Sequence, residues 1–460
     1  MDDTSKRYTL YALTWPIYIE MLLHVLMGNV DVLMLSRYDE GAVASVGIAN
    51  QIVQMFVMIF GFVTAGTTIV VSQSLGGGLR REASEAAETA LALNLAFGAA
   101  CSAALFAFAD RFLSWLGTPD VLMDDALLYM RIVGGFLFLE AVMLTMSAVL
   151  RSHGFPRDVM LVSIGMNVVN VVGNYLALYG PAEWPVDGIA GVAAATAVSR
   201  GLGVAVMLAL LRVRANQPLR LRPTVVFAGT YVRKLLGIGI PSSLEYLAYY
   251  ASQLLLTSFI VAMGVAALTT RIYLENSIVF IGLFATAIAM GTQIFVSRSI
   301  GAGRTEEAFR RCLRSIRIAQ LVSFGSALVL CLFAAPAFSL FADNPGVVGT
   351  ASRLAWWMLA FYPAHSMCMV YQHALKAAGD VKFPATLGIV FMLGVKVPLA
   401  WTLAVPFGLE LYGVFAAIIA DEWIRALIMR RRWRARAWEK RLARDRAGIG
   451  SEAEAEASFA

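Results

Sequence analysis

The chain has 460 residues, of which 59% are hydrophobic and 15% charged, with a formal net charge of +6. Soluble proteins hold roughly 45–50% apolar and about 25% charged residues, so this composition excludes an ordinary soluble fold. The basic charge gathers in alternate connections between apolar runs, which removes the argument for a nucleic-acid partner.

The N-terminus "MDDTSKRYTL" has no short apolar segment with a small-residue cleavage site, so no signal peptide is expected. The apolar runs then predict an all-α membrane protein with twelve transmembrane helices, each near the ~20 residues that span a bilayer. The first, 13–35, contains "WPIYIEMLLHVLMGNVDVLML" and carries Glu20, His24 and Asp31. These lie four and seven residues apart and share one helical face, and eleven residues is almost three turns, which aligns the two carboxylates to within about 20°. A charged stripe against lipid is untenable, so the first helix is expected to line a water-filled cavity, or else to hydrogen-bond to packed neighbours.

Helices follow at 45–74, 88–109, 123–149 and 158–179, the last carrying Asn170 and Asn174 one turn apart in "NVVNVVGNY". The sixth, 188–211, carries Thr196 and Arg200. Residues 212–235, with Pro218 and Pro223, read as a linker. A second set follows at 236–263 (Glu245 and Tyr249), 268–297 (Glu275), 313–334, 351–374, 383–405 (Lys396) and 410–430. Residues 431–460 begin with "RRRWRARAWEKRLARDR", a basic helix suited to an anionic lipid surface, and end in an acidic, Ala-rich stretch expected to be disordered. Lys396 and Glu275 come out at similar depth, about 20 Å from the basic side, so a contact between them is expected, with Glu245 as the second partner.

Arginine and lysine sort by connection. The rich ones include Arg80 and Arg81, Arg151 and Arg157, Arg212 to Lys234, Arg298 to Arg317, and Lys376 and Lys382. The positive-inside rule places these in the cytoplasm together with both termini, in a multi-pass plasma-membrane protein.

The chain also repeats itself. "TAGTTIVVSQSLGGG" (Thr64 to Gly78) recurs as "AMGTQIFVSRSIGAG" (Ala289 to Gly303), 225 positions later. The same shift carries Pro16 to Pro241, Glu20 to Glu245, Arg151 to Lys376 and Gly154 to Gly379. A constant offset over so much chain is a duplication. Six helices per copy make the halves, 1–211 and 236–430, parallel repeats, the arrangement of transporters whose substrate lies between two pseudo-symmetric bundles. Asp31 has no mate, since position 256 is leucine, so the two halves have diverged there.

With the paired halves, the "WP…GNVD" first helix, the Thr64 to Gly78 motif and "NVVNVVGNY" in hand, the chain resembles the multidrug and toxic compound extrusion (MATE) transporters over nearly its whole length. The resemblance implies an antiporter that exports organic, mainly cationic, amphipathic compounds in exchange for H⁺ or Na⁺, with no cofactor and no enzymatic activity. It implies a cation site of Asp31, Asn170, Asn174 and Thr196. Many family members have an aspartate where this chain has Asn174, so one charge fewer is present. Depth agrees without the family: at 1.5 Å per residue, Asp31 lies about 27 Å, Asn170 about 20 Å and Asn174 about 25 Å from the basic side. A carboxylate with amide and hydroxyl oxygens suits Na⁺, and the carboxylate alone suits a proton. No other metal site is expected.

Glu20, His24, Glu245, Tyr249, Glu275 and Lys396 are the candidate substrate-cavity residues. Glu20 and Glu245, as repeat mates, fit two roles: attraction of cationic drugs, or closure of an inner gate. A lipid-linked oligosaccharide flippase is the rival within the superfamily, and it calls for a strongly cationic cavity. "GGGLRRE" and "GAGRTEE" do not match a nucleotide-binding loop, and the four histidines lack HExxH spacing. The expected partners are small amphipathic drug-like molecules and the bilayer, with the protein acting as a monomer.

Overall fold

The computed structural model describes residues 9–180, 188–215, 229–339 and 344–439. Among these no strand is present, and twelve helical segments of membrane-crossing order succeed one another. The first six are α1 (Leu10–Ser36), α2 (Glu40–Gly76), α3 (Arg80–Ala107), α4 (Asp120–Gly134 with Leu137–Ser152), α5 (Pro156–Tyr179) and α6 (Gly188–Arg214). The second six are α7 (Thr230–Ala262), α8 (Val265–Gly301), α9 (Thr305–Leu332), α10 (Pro345–Ala377), α11 (Lys382–Ala404) and α12 (Glu410–Arg434). Short helices Ala109–Trp115 and Ala334–Ser339 come after α3 and α9.

Among the described residues eight of these helices are long and apolar enough to cross a bilayer, and α4, bent by 42°, makes a ninth. The other three, α7, α10 and α12, are 33, 33 and 25 residues long but mix polar and charged side chains with apolar ones. Their length still exceeds the ~20 residues a span needs. The bend in α4 falls at a π-helical turn, Met130–Gly134, and α11 has another at Met392–Lys396. Such turns insert one residue into the helical ladder and re-aim the remainder of the helix.

The helix ends carry the duplication in their backbone. Gly78 and Gly303 have φ of 77° and 74°, and Gly154 and Gly379 have 85° and 82°. These left-handed positions come just after α2, α8, α4 and α10, where a Cβ would be strained. The bond from Leu79 N–H to Ser74 C=O at 2.9 Å has its mate in Arg304 N–H to Ser299 C=O at 2.8 Å, closing the last turn in both halves. Asp39 caps the N-terminus of α2 by accepting from the Ala42 N–H at 3.0 Å.

Packing divides the chain into two compact units that meet in sequence at Gly239 and Ile240. In the first, α5 lies against α1 and α6, while α4 packs on α2, α3 and α6. Phe60, Leu105, Leu113 and Leu137 are fully buried in its core. In the second, α10 packs on α8, α9 and α12, and α11 packs on α12, around Tyr362 and Phe338. Many helix faces stay apolar and exposed, among them Leu33, Leu254, Leu321 and Phe333, as contact with lipid requires.

Residues 216–228 of the expected linker and all of the tail past 439 lie outside the described residues. The described part of the tail corrects one expectation. Residues 431–439 are not a free helix on a lipid surface but are packed onto the second unit. Trp433 and Trp438 are fully buried and stack with ring centroids 4.8 Å apart. Arg432 binds Asp380 at 2.8 Å, and Arg436 pairs with Glu306 and Glu439. Two buried indoles and the carboxylates of Asp380 and Glu306 hold this segment on the second unit. Glu306 stands in the first turn of α9, ahead of the apolar stretch from 313 that spans the membrane. There the hydrogen bonds from Arg436 and Arg310 hold its carboxyl below the usual carboxylate range.

Candidate functional site

The structure brings Asp31, Asn170, Asn174 and Thr196 into one hydrogen-bonded chain across α1, α5 and α6. The Asn174 amide donates from Nδ2 to Asp31 Oδ1 at 2.8 Å and to Asn170 Oδ1 at 3.2 Å. Asn170 Nδ2 donates to Thr196 Oγ1 at 3.2 Å, and that hydroxyl donates to the Val192 carbonyl at 3.0 Å. The local sequence explains the geometry. Asn170 and Asn174 are one turn apart, so both project from the face of α5 that packs between α1 and α6. They are 6% and 1% exposed, while Asp31 is half-buried.

Both N–H groups of the Asn174 amide are spent, but its oxygen is not. Asn174 Oδ1 is buried and has no hydrogen-bond partner. A buried polar atom left open is costly, and here it lies on the residue that holds a carboxylate. The set is one carboxylate, two amide oxygens and a hydroxyl, the hard donors that a small monovalent cation or a proton takes. Arg200 acts electrostatically on Asp31, yet its own ion pair is with Glu140, at 3.2 Å. The Glu140–Arg200 pair was not foreseen, because its members lie sixty residues apart on α4 and α6.

The other two polar residues of α1 part company with Asp31. His24 is exposed. Glu20 is engaged by Arg151, at the end of α4. Its repeat mate does the same: Glu245 Oε2 pairs with Lys376 Nζ at 2.8 Å, and Glu245 Oε1 accepts from Gln372 Nε2 at 2.7 Å. Glu245 is 3% exposed, and a Cβ placed on Gly388 would come within 2.7 Å of its Oε1, so glycine leaves the carboxylate its room. Glu20 and Glu245, expected either to attract cationic drugs or to close an inner gate, are thus both held in ion pairs. Each is neutralised by a cation of its own repeat, and the two pairs occupy positions 225 apart.

The expected Glu275–Lys396 contact is also corrected. Glu275 accepts from Arg271 Nε at 2.7 Å, one turn away on α8. Lys396, 4% exposed, donates instead to Ser252 Oγ at 2.7 Å, with its ammonium 5.7 Å from the Tyr249 ring centre. Glu245, the second partner considered, is held by Lys376. Depth along the membrane had matched Glu275 to Lys396, but depth says nothing of direction around a helix axis.

A buried ionic cluster in the second unit was missed outright. Arg425 on α12, 2% exposed, binds Asp421 Oδ2 at 2.8 Å and Glu422 Oε1 at 2.7 Å. His365 Nδ1 on α10 lies 3.5 Å from the same Glu422 oxygen, and Cys368 Sγ lies 3.5 Å from Arg425 Nη1. The signal was in "ADEWIRAL": two acids three and four residues before an arginine, inside an apolar run, share one helix face.

Two repeated helical units, spans long enough to cross a bilayer and polar groups buried between those spans define a multi-pass membrane transporter. The chain belongs to the MatE family, whose model matches residues 16–176 and 241–402, one match in each repeat. The family is one of transporters, not enzymes. The chain is 39% identical over 434 residues to "Uncharacterized transporter YisQ" of Bacillus subtilis (strain 168), covering 94% of this chain and 95% of that one. It is 23% identical over 439 residues to "Probable multidrug resistance protein NorM" of Thermotoga maritima, covering 95% and 94%. Among solved structures, one described as the "outward-facing conformation of a multidrug resistance MATE family transporter of the MOP superfamily" aligns with a TM-score of 0.84 at 20% identity, covering 94% of this chain and 96% of that one.

Proposed function

We propose that this transporter exports small amphipathic, mainly cationic compounds in exchange for H⁺ or Na⁺, with the coupling ion taken at Asp31. The observation that carries the reading is the Asp31–Asn174–Asn170–Thr196 chain, closed across three helices and left with one open buried oxygen on Asn174. When a cation neutralises Asp31, that open oxygen and the carboxylate gain a common partner. The hydrogen bonds that tie α1 to α5 are then redistributed, and the balance between drug-binding and drug-releasing states shifts. Multidrug resistance relatives of similar length support the substrate class. The proposed orientation has both termini cytoplasmic in a monomer of two six-helix repeats, 1–211 and 236–430.

The test uses purified protein in proteoliposomes under separately imposed Na⁺ and pH gradients, with a fluorescent organic cation as substrate. One of the gradients is expected to drive transport by the native chain, and Asp31→Asn is expected to abolish that drive. Gradient-driven export by the Asp31→Asn protein at the native rate would refute the role of Asp31.

A further inference from the structure

Arg131 is a cation inside a membrane-crossing span that the protein itself leaves unmatched. It lies about three turns after Asp120, in the bent span formed by Asp120–Gly134 and Leu137–Ser152. Its side chain is exposed, and among the described residues no hydrogen bond, ion pair or ring contact engages its guanidinium. Other arginines on the spans of this unit are paired, Arg200 with Glu140 and Arg151 with Glu20. Hydrocarbon offers a guanidinium neither a counter-charge nor water, so Arg131 requires a partner from outside the chain.

Beside it, a groove of about 400 Å³ runs between α3 and α4, within the range of small-molecule sites. From α3 it is lined by Ala99, Ser102, Ala103 and Phe106, whose spacing of three, four and seven puts them on one helical face. From α4 it is lined by Arg131 before the bend and by Phe136 and Phe138 after it. The π-helical turn at Met130–Gly134 therefore sits under the groove, and the two limbs of α4 both border it. The break in the helical ladder leaves no loose polar group there, because the Phe138 N–H donates to Ser102 Oγ at 2.9 Å. What remains is an apolar trough with a single cation on its wall.

The groove also has a definite level. α3 begins at the basic connection with Arg80 and Arg81, and the groove occupies its last two turns, at the opposite surface. Trp115, 82% exposed on the short helix that follows, marks that surface as an interface. From Phe106 to Ala99 the trough extends about 10 Å toward the bilayer middle. Side chains on a helix lean toward its N-terminus, which for α4 is the same surface, so the guanidinium stands near the headgroup end and the apolar wall lies below it.

We propose that this groove binds one phospholipid, with its phosphate held by Arg131 and one acyl chain lying along Ala99, Ala103 and Phe106. A guanidinium fork matches two phosphate oxygens, and the pairing strengthens where water is scarce. An apolar occupant without an anion would leave the charge unmet. A lipid seated here touches α4 on both sides of its bend and braces it. In the proposed orientation this is an outer-leaflet lipid, and the site itself does not depend on the coupling ion or the transported compound. The rival arrangement is an arginine that snorkels to interfacial water while lipids exchange freely past it.

The test uses the full chain, purified and stripped of lipid in detergent, then titrated with dioleoyl phosphatidylglycerol and followed by native mass spectrometry. The native chain is expected to keep one phospholipid under activation that removes all others. Arg131→Gln should lower that retained fraction about tenfold, the equivalent of one charge-assisted hydrogen bond. Ala103→Leu, which fills the groove and keeps the charge, should lower it as well, and Arg131→Lys should fall between the native chain and Arg131→Gln. Dioleoylglycerol, with the same chains and no phosphate, should leave no retained adduct. Both substituted side chains are exposed, so the variants should remain monodisperse. Phosphatidylglycerol should raise the melting temperature of the native chain and not that of Arg131→Gln. Equal retention by the native chain and Arg131→Gln, retention of dioleoylglycerol at the level of the phospholipid, or no firmly held lipid at all would each overturn the proposal.

Discussion

Glu245→Gln is the sharpest perturbation of the paired charges. Glutamine keeps an oxygen for the Gln372 amide, which now donates at 2.7 Å, and removes only the charge facing Lys376. The side chains of Glu245 and Lys376 are 4% and 10% exposed, so the ammonium left behind has little access to water. Removing one partner of a buried pair costs about 3–5 kcal/mol, because the other remains uncompensated. At about 2–4 °C per kcal/mol for a unit of this size, the melting temperature should fall by roughly 6–20 °C. The repeat mate is a built-in comparison. Glu20 and Arg151 are 16% and 14% exposed, so Glu20→Gln should cost less, about 1.5–3 kcal/mol. Thermal unfolding in detergent, followed by scattering and intrinsic fluorescence, measures both. A double-mutant cycle with Lys376→Met then isolates the pair, since Glu245→Gln/Lys376→Met should recover much of the loss. If the single-mutant losses simply add, the two groups are not coupled and the reasoning from the ion pair is wrong.

Other outcomes are expected from the same geometry. Asn174→Leu removes both the amide that donates to Asp31 and the open oxygen beside it. Gradient-driven transport should drop about 10–100-fold, equivalent to about 1.4–2.8 kcal/mol, at unchanged expression, as measured by uptake into proteoliposomes. A Cβ on Gly98 would meet the Phe138 Cα at 2.9 Å, where α3 crosses α4, so Gly98→Ala should destabilise by about 1–3 kcal/mol, read as a lower melting temperature. Docking of the tail should depend on acid pH. The Glu306 carboxyl is depressed in the docked state, so its contribution is complete above the ordinary carboxylate range and is lost as pH falls through the depressed value. Hydrogen exchange of the 430–439 segment, corrected for intrinsic rate, should show protection weakened on acidification, and Glu306→Gln should weaken it at neutral pH by up to about fivefold, since the exposed pair is worth at most about 1 kcal/mol.

The number and order of helices were legible because apolar runs of span length, interrupted by basic connections, leave few alternatives. The meeting of Asp31 with Asn170, Asn174 and Thr196 was legible through the resemblance to the family, and the asparagine spacing on one face and the similar depths of Asp31 and the two asparagines agreed with it. Depth alone was insufficient for Lys396. Glu275 lies at the right height, but Arg271 is one turn away on its own helix and reaches it first. The partner of Glu20 was within sight, since Arg151 and Glu20 both take part in the repeat, yet nothing in a linear sequence says that the foot of α4 turns toward α1. Asp421, Glu422 and Arg425 were hidden by the habit of reading α12 as an apolar span, when three charges on one face of a helix can satisfy one another without water.

The two salt links built on Glu20 and Glu245 use the same pair of places in each copy of the chain, and each link closes inside its own copy. Two such links are most simply one link inherited twice. An ancestor half this length would already have balanced these charges before it was doubled, and the difference between arginine in one copy and lysine in the other arose afterwards. The fusion of the copies left the neighbourhood of Asp31 free to change, and there the two descendants have gone separate ways.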